Sequence, residues 1–121
     1  MEDEKTMKTI MKTVFGVMFL LMTSSVCIAS FQSGTIQYLI VRASDGLVYF
    51  ELNGPARSGK PDCTAAYNYF MIKDENSGSG KRQHAMLLAA ELAGKSVSIE
   101  GTNTCTRWGD GEDVNSVEVL P

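Results

Sequence analysis

Hydrophobic and polar positions alternate with a period of two through most of the chain, and one helical stretch interrupts them. "GTIQYLIVRASDGLVYFELNG" holds two β-branched and aromatic runs around Asp45-Gly46. Glycine supplies the positive φ that a tight hairpin needs, so residues 35–43 and 47–53 are predicted as an antiparallel pair. In the first run Ile36, Tyr38 and Ile40 share one face, and Leu39 and Val41 share the other. Both faces are apolar in places, which suits a central or barrel strand. In the second run Val48, Phe50 and Leu52 alternate with Leu47, Tyr49 and Glu51.

"YNYFMIKD" (residues 67–74) reads as a third strand, with Phe70 and Ile72 opposite Tyr67, Tyr69 and Met71. "KSVSIEGT" (95–102) reads as a fourth, with Val97 and Ile99 inward. "DVNSVEVL" (113–120) reads as a fifth. Val117 and Val119 lie on one face there and Val114 is out of phase, which predicts a bulge. Residues 54–66 and 103–112 are rich in turn formers and read as loops, and "ENSGSG" (75–80) as a flexible connection.

"KRQHAMLLAAELAGK" (81–95) is the one predicted helix, since Ala, Leu, Met and Gln dominate and none of its residues is β-branched. Ala85, Leu88, Ala89 and Leu92 form a stripe at helical spacing, widened by Met86, Leu87, Ala90 and Ala93. Gly94 stands where a left-handed C′ residue is wanted. Three strands, a helix and two strands make a mainly β chain with the element order β-β-β-α-β-β. That is the order of a five-stranded OB-fold, the oligonucleotide- and oligosaccharide-binding barrel. A ubiquitin-like or cystatin-like roll places its helix earlier.

The N-terminus changes the domain picture. "MKTIMKTVFGVMFLLMTSSVCIAS" has Lys8 and Lys12, an apolar run over residues 14–22, then small residues. This is the pattern of a secretory signal peptide, with an apolar core too short for a transmembrane helix. Residues 1–29 are expected to be the signal and 30–121 a single domain. The chain is therefore expected to be secreted or periplasmic, in a Gram-negative bacterium, and free of the membrane in mature form. The acidic "MEDEK" before the signal fits a start at Met7 or Met11 better than one at Met1. A lipoprotein signal at Cys27 is the rival, against which Val26 stands where a small residue is expected.

Removal of the signal leaves Cys63 and Cys105, which in an exported chain read as a disulfide closing a loop of ~40 residues. The alternative, a pair of zinc ligands, lacks partners: the chain has one histidine, His84, and no CxxC pair. Of 121 residues 44% are hydrophobic, enough for one small domain. The net charge of −3 and the lack of a basic run argue against nucleic acid as a partner.

No nucleophile stands with a base in a known motif, and oxidised cysteines cannot attack, so a non-catalytic protein without a cofactor is expected. Asp110, Glu112, Asp113 and Asn115 offer oxygens at short spacing but do not follow the EF-hand pattern, so no metal site is expected. Recognition is the better-supported chemistry. The amphipathic rings of Tyr38, Tyr49, Tyr67, Tyr69 and Trp108 suit stacking on a sugar or a protein partner, and polar groups lie close to them in sequence, Arg42, Ser44 and Asp45 at the first hairpin among them. The candidate ligand-binding residues are Trp108, Arg107, Tyr67, Asn68, Tyr69, Ser44 and Asp45, Trp108 and Arg107 being placed on a stapled rim. Packing is the plainer reading for about half of the tyrosines.

The run "GTIQYLIVRASDGLVYFELNG … YNYFMIKD … AMLLAAELAGKSVSI … VNSVEVLP" resembles small exported bacterial proteins related to the B subunits of AB5 toxins, subtilase cytotoxin in particular. The resemblance rests on element order, the signal peptide and the helix-to-strand passage. It implies a five-stranded barrel, a pentameric homo-oligomer and binding of cell-surface glycans. The alternative is a structural or interaction protein of the envelope, or an inhibitor of an unidentified partner.

Overall fold

A computed structural model describes Glu4 and residues 29–121. The expected signal segment therefore lies almost wholly outside the described residues. No helix among the described residues is long and apolar enough to cross a membrane.

Five strands close into a barrel in the order β1-β2-β3-β5-β4. They are β1 (Phe31–Val41), β2 (Val48–Asn53), β3 (Phe70–Met71), β4 (Ser96–Gly101) and β5 (Glu112–Val119). The helix α1 (Gly78–Ala93) lies between β3 and β4 in the chain. β3 and β5 run parallel, and every other pair is antiparallel. Residues 29–121 thus form a mainly β, OB-fold-like barrel with one helix, as the element order predicts.

β1 is longer than expected because it serves two neighbours. Phe31 to Thr35 pair with β4, and Thr35 to Val41 with β2. Gly34 stands at the changeover, where a Cβ would come 1.8 Å from the Asn53 carbonyl oxygen, so the strands meet only because the side chain is absent. A bulge at Gln37 then shifts the register between Ile36 and Tyr38. The shared face expected for Ile36, Tyr38 and Ile40 is therefore split. Ile36 and Leu39 pack on the core, while Tyr38 is half-buried and Ile40 exposed. A bulge is a pairing event, and the period-two pattern of a single strand does not record it. In β5, Glu100 pairs with Ser116 but Gly101 with Val114, leaving Asn115 extra. This is the bulge that Val114 predicts.

The first hairpin turns where expected. Gly46 has φ 74°, and Arg42 N–H donates to the Leu47 carbonyl at 2.8 Å. The third strand is much shorter than residues 67–74. Only Phe70 and Met71 are held from both sides, by Tyr49 and Phe50 of β2 and by Glu112 and Asp113 of β5. Tyr67 to Tyr69 have strand-like composition but no ladder partner, and partners make a strand.

The helix begins before Lys81. Ser77 caps it, its hydroxyl accepting from Gly80 N–H at 2.9 Å, so the "flexible" glycine-serine run is the first turn. It ends as expected: Gly94 has φ 64°, and Lys95 N–H returns to the Ala90 carbonyl. The buried face differs from the expected stripe. Gly80, Leu87 and Ala90 are buried, whereas Ala85, Leu88, Ala89 and Leu92 face outward, Leu92 at 81% exposure. α1 is apolar nearly all round, so periodicity alone does not select a side. The core runs through the barrel, with Phe50 and Phe70 stacked at 5.6 Å among Leu52, Ile72, Leu87, Val97 and Ile99.

Candidate functional site

Cys63 and Cys105 form a disulfide with a Cα–Cα distance of 6.3 Å and a sequence separation of 42. Cys63 sits in a short 3-10 turn, Asp62–Thr64, within the β2–β3 loop. Cys105 lies in the β4–β5 loop, so the bond ties the two loops together.

The β4–β5 loop is shaped from below by Asp113, whose residue is fully buried. One carboxylate oxygen accepts from Thr106 N–H at 2.9 Å and from the Thr104 and Thr106 hydroxyls. The other accepts from Arg107 N–H at 3.0 Å. Glu112, also fully buried, accepts from Asn103 N–H, the Ser30 hydroxyl and Arg57 Nη1. Burying these charges is tolerable because each meets several donors. Burial pulls the Arg57 guanidinium below its ordinary pKa, against the pull of Glu112. Arg57 also donates to the Asn68 carbonyl and lies over the Phe70 ring.

With the loop held, Trp108 and Gly111 bridge across a tight turn that carries Trp108 outward, 42% exposed. Arg42, just past the end of β1, places its guanidinium 4.2 Å from the centre of the Trp108 ring, at cation–π distance. Beneath them is a recess of about 130 Å³ lined by Arg42, Leu47, Tyr49, Tyr69, Met71 and Trp108. Leu47 and Met71 are buried, Tyr49 and Tyr69 are half-buried, and Arg42 brings the recess a positive charge.

The tyrosines run as a chain of ring contacts across the outside of the barrel. Tyr38 meets Tyr49 edge-on at 6.3 Å, Tyr49 meets Tyr69 at 5.8 Å, and Tyr67 stacks on Tyr69 at 5.1 Å. Tyr69 O–H donates to Asp110 at 2.6 Å, and Tyr38 O–H to Glu51 at 2.8 Å. Burial and then the Glu51 carboxylate push the Tyr38 phenol up to about 12. Burial and then Asp110 push Tyr69 further above its ordinary value. None of the four tyrosines belongs to the core cluster.

The expected site residues separate into groups. Trp108 and Tyr69 line the recess, and Tyr67 extends its aromatic wall. Arg107 braces it instead of facing it: Nη2 and Nε bind Glu75 at 2.6 and 3.0 Å, and Nη2 reaches the Asp45 carbonyl at 3.2 Å. Asp45 forks onto Arg42, which holds its carboxyl well below the ordinary carboxylate range. Ser44 is exposed in the same turn. Asn68 is drawn elsewhere, its side-chain oxygen accepting from Lys60 at 2.9 Å.

Arg42, a polar group of the first hairpin, and Tyr49, one of the amphipathic rings, also line the recess, and Leu47 and Met71 complete it without having been singled out. The acids of the calcium reading are engaged by protein groups: Asp110 by Tyr69, Glu112 and Asp113 as above, and the Asn115 amide by Glu100. Comparison with protein-family models, curated proteins and solved structures finds no match.

Proposed function

We propose that the chain is a non-catalytic binding module of an exported protein, taking a glycan in the recess between Arg42, Tyr69 and Trp108. One observation carries this reading. The recess is built from the β1–β2 loop, the β4–β5 loop and the β2–β3 side of the barrel, the surface on which OB-folds hold oligosaccharides and oligonucleotides. The net charge of −3 turns the choice away from nucleic acid. Aromatic walls with one guanidinium and flanking carboxylates suit the apolar faces and hydroxyls of a sugar. The resemblance to AB5 toxin B subunits points the same way. A glycan array on the signal-free protein tests it: binding that Trp108→Ala weakens supports the reading, and silence against every sugar sinks it.

A second reading, an assembling envelope subunit, draws on the outward face of α1. Leu88, Leu92 and Met86 are exposed there, more apolar surface than a lone helix face needs to show water. Assembly into a ring multiplies weak sites into avidity. Mass measurement by light scattering tests it: a monomer at high concentration removes this reading, whereas a pentamer is also what the resemblance to toxin B subunits implies.

A further inference from the structure

The recess beside Trp108 has a volume of about 130 Å³. Pockets that bury a whole small ligand hold about 300–1,000 Å³. A cavity this small takes one group of a ligand, and the remainder lies on the surface next to it. Tyrosine rings lead away from the recess in two directions. On one side Tyr38 meets Tyr49 edge-on, with 77° between the planes, and is half-buried with its hydroxyl engaged by Glu51. Its ring continues no plane of the recess wall. On the other side Tyr67 lies flat on Tyr69, with 16° between the planes and 5.1 Å between the centres. Tyr69 is the one ring stacked on Tyr67 among the described residues, and Tyr67 is 48% exposed, so its second face is turned to water.

A single exposed ring is ordinary on a protein surface. Tyr67 is set apart by how it is held. Its N–H donates to the Thr64 carbonyl at 3.1 Å, in the turn that carries Cys63 and its disulfide to the Trp108 loop. The next residue is fixed twice. The Asn68 carbonyl accepts from the buried Arg57, and the Asn68 side-chain oxygen accepts from Lys60 at 2.9 Å. Tyr69, against which Tyr67 rests, donates to Asp110 at 2.6 Å, inside the turn bridged by Trp108 and Gly111. The disulfide and this hydrogen bond therefore tie the Tyr67 platform to the same loop that carries Trp108. A stacking surface held in advance loses little conformational entropy when a ligand settles on it.

We infer that the ligand is a linear oligosaccharide and not a single sugar: one unit enters the recess beside Trp108, and a later unit passes Tyr69 and stacks on the outer face of Tyr67. The inference rests on the glycan reading and adds to it the length of the ligand and its direction across the barrel.

An array of linear glucose, galactose and N-acetylglucosamine oligomers, from one unit to six and with both anomeric linkages, tests it on the exported protein. The bound series is then titrated member by member in a calorimeter. In the wild type, affinity should rise about three- to tenfold between the shortest bound member and the one that reaches Tyr67, then level off. In Tyr67→Ala short and long members should bind equally, whereas Tyr67→Phe should keep the rise. Because the readout is a ratio between lengths, a variant that is only less stable lowers both together and does not imitate the loss. The wild-type length series stands as a test by itself should Tyr67→Ala fold poorly. The inference alone is overturned if a single sugar binds as tightly as its longer relatives, if the rise survives in Tyr67→Ala, or if Tyr38→Ala is the variant that abolishes it. Silence from every member overturns the glycan reading and this inference with it.

Discussion

The guanidinium of Arg42 lies 4.2 Å from the centre of the Trp108 ring. One residue follows directly on the first strand and the other tips the disulfide-tied loop, 66 positions later. Their contact makes two loops into one surface. Trp108→Ala removes the exposed half of that contact and one wall of the recess. Glycan affinity should fall about three- to tenfold, the usual worth of an aromatic contact. Because Trp108 is 42% exposed, the melting temperature should move little. Calorimetry and thermal melts on the same variant check both halves.

The bracing beneath that surface is acid-sensitive. Arg107 holds the Glu75 carboxyl below its ordinary value of 4.5, and Arg42 does the same for Asp45, whose ordinary value is 3.8. A depressed carboxyl contributes stability above its unfolded value and loses it as pH falls through the folded one. Wild-type melting temperature should therefore drop as pH falls below about 4.5, with Glu75→Gln showing a flatter curve over that window. Equal slopes would remove Glu75 from this role.

The alkaline side is governed by the tyrosine chain. Tyr38, pushed up to about 12, and Tyr69, raised further, hold their protons past the ordinary value of 10.0. A raised phenol contributes stability below its unfolded value, and that contribution is lost as pH rises through the folded one. Ultraviolet titration of tyrosinate should show two of the four tyrosines ionising late, and Glu51→Gln should bring Tyr38 back toward 10.

Among the described residues Arg57 and Glu112 form the one ion pair that is buried on both sides, with side chains 1% and 0% exposed and 3.0 Å between them. Removing one partner strands the other charge. Glu112→Gln and Arg57→Met should each cost about 3–5 kcal/mol, and the double replacement less than their sum. Urea unfolding of the four proteins measures the cycle. Additive losses would show that the two side chains act separately.

Reduction of the disulfide, or Cys63→Ser with Cys105→Ser, should cost about 4 kcal/mol for a 42-residue separation in the chain-entropy model. It should also speed hydrogen exchange in the Trp108 loop ahead of the barrel strands. The Asp113 carboxylate keeps its loop amides in both forms, so part of the loop stays ordered.

Much of the architecture was legible because it rests on local chemistry. Asp45-Gly46 makes its turn, Gly94 ends its helix, and Val97 and Ile99 point inward for reasons contained within a few neighbouring residues. Element order then restricted the barrel, and the two cysteines outside the expected signal segment pointed to their own pairing. What local chemistry left open was every choice between equivalent partners. Gln37 slips the register only against β2, Phe70 and Met71 become strand only between two neighbours, and α1 buries Leu87 instead of Leu88 because of where the barrel meets it. The recess belongs to the same class. Arg107 and Arg42 look alike in sequence, each basic and each beside a turn, and pairing with Glu75 turns one inward as a brace while the other lies over Trp108. Those outcomes depend on contacts between residues far apart in the chain, which no local pattern encodes.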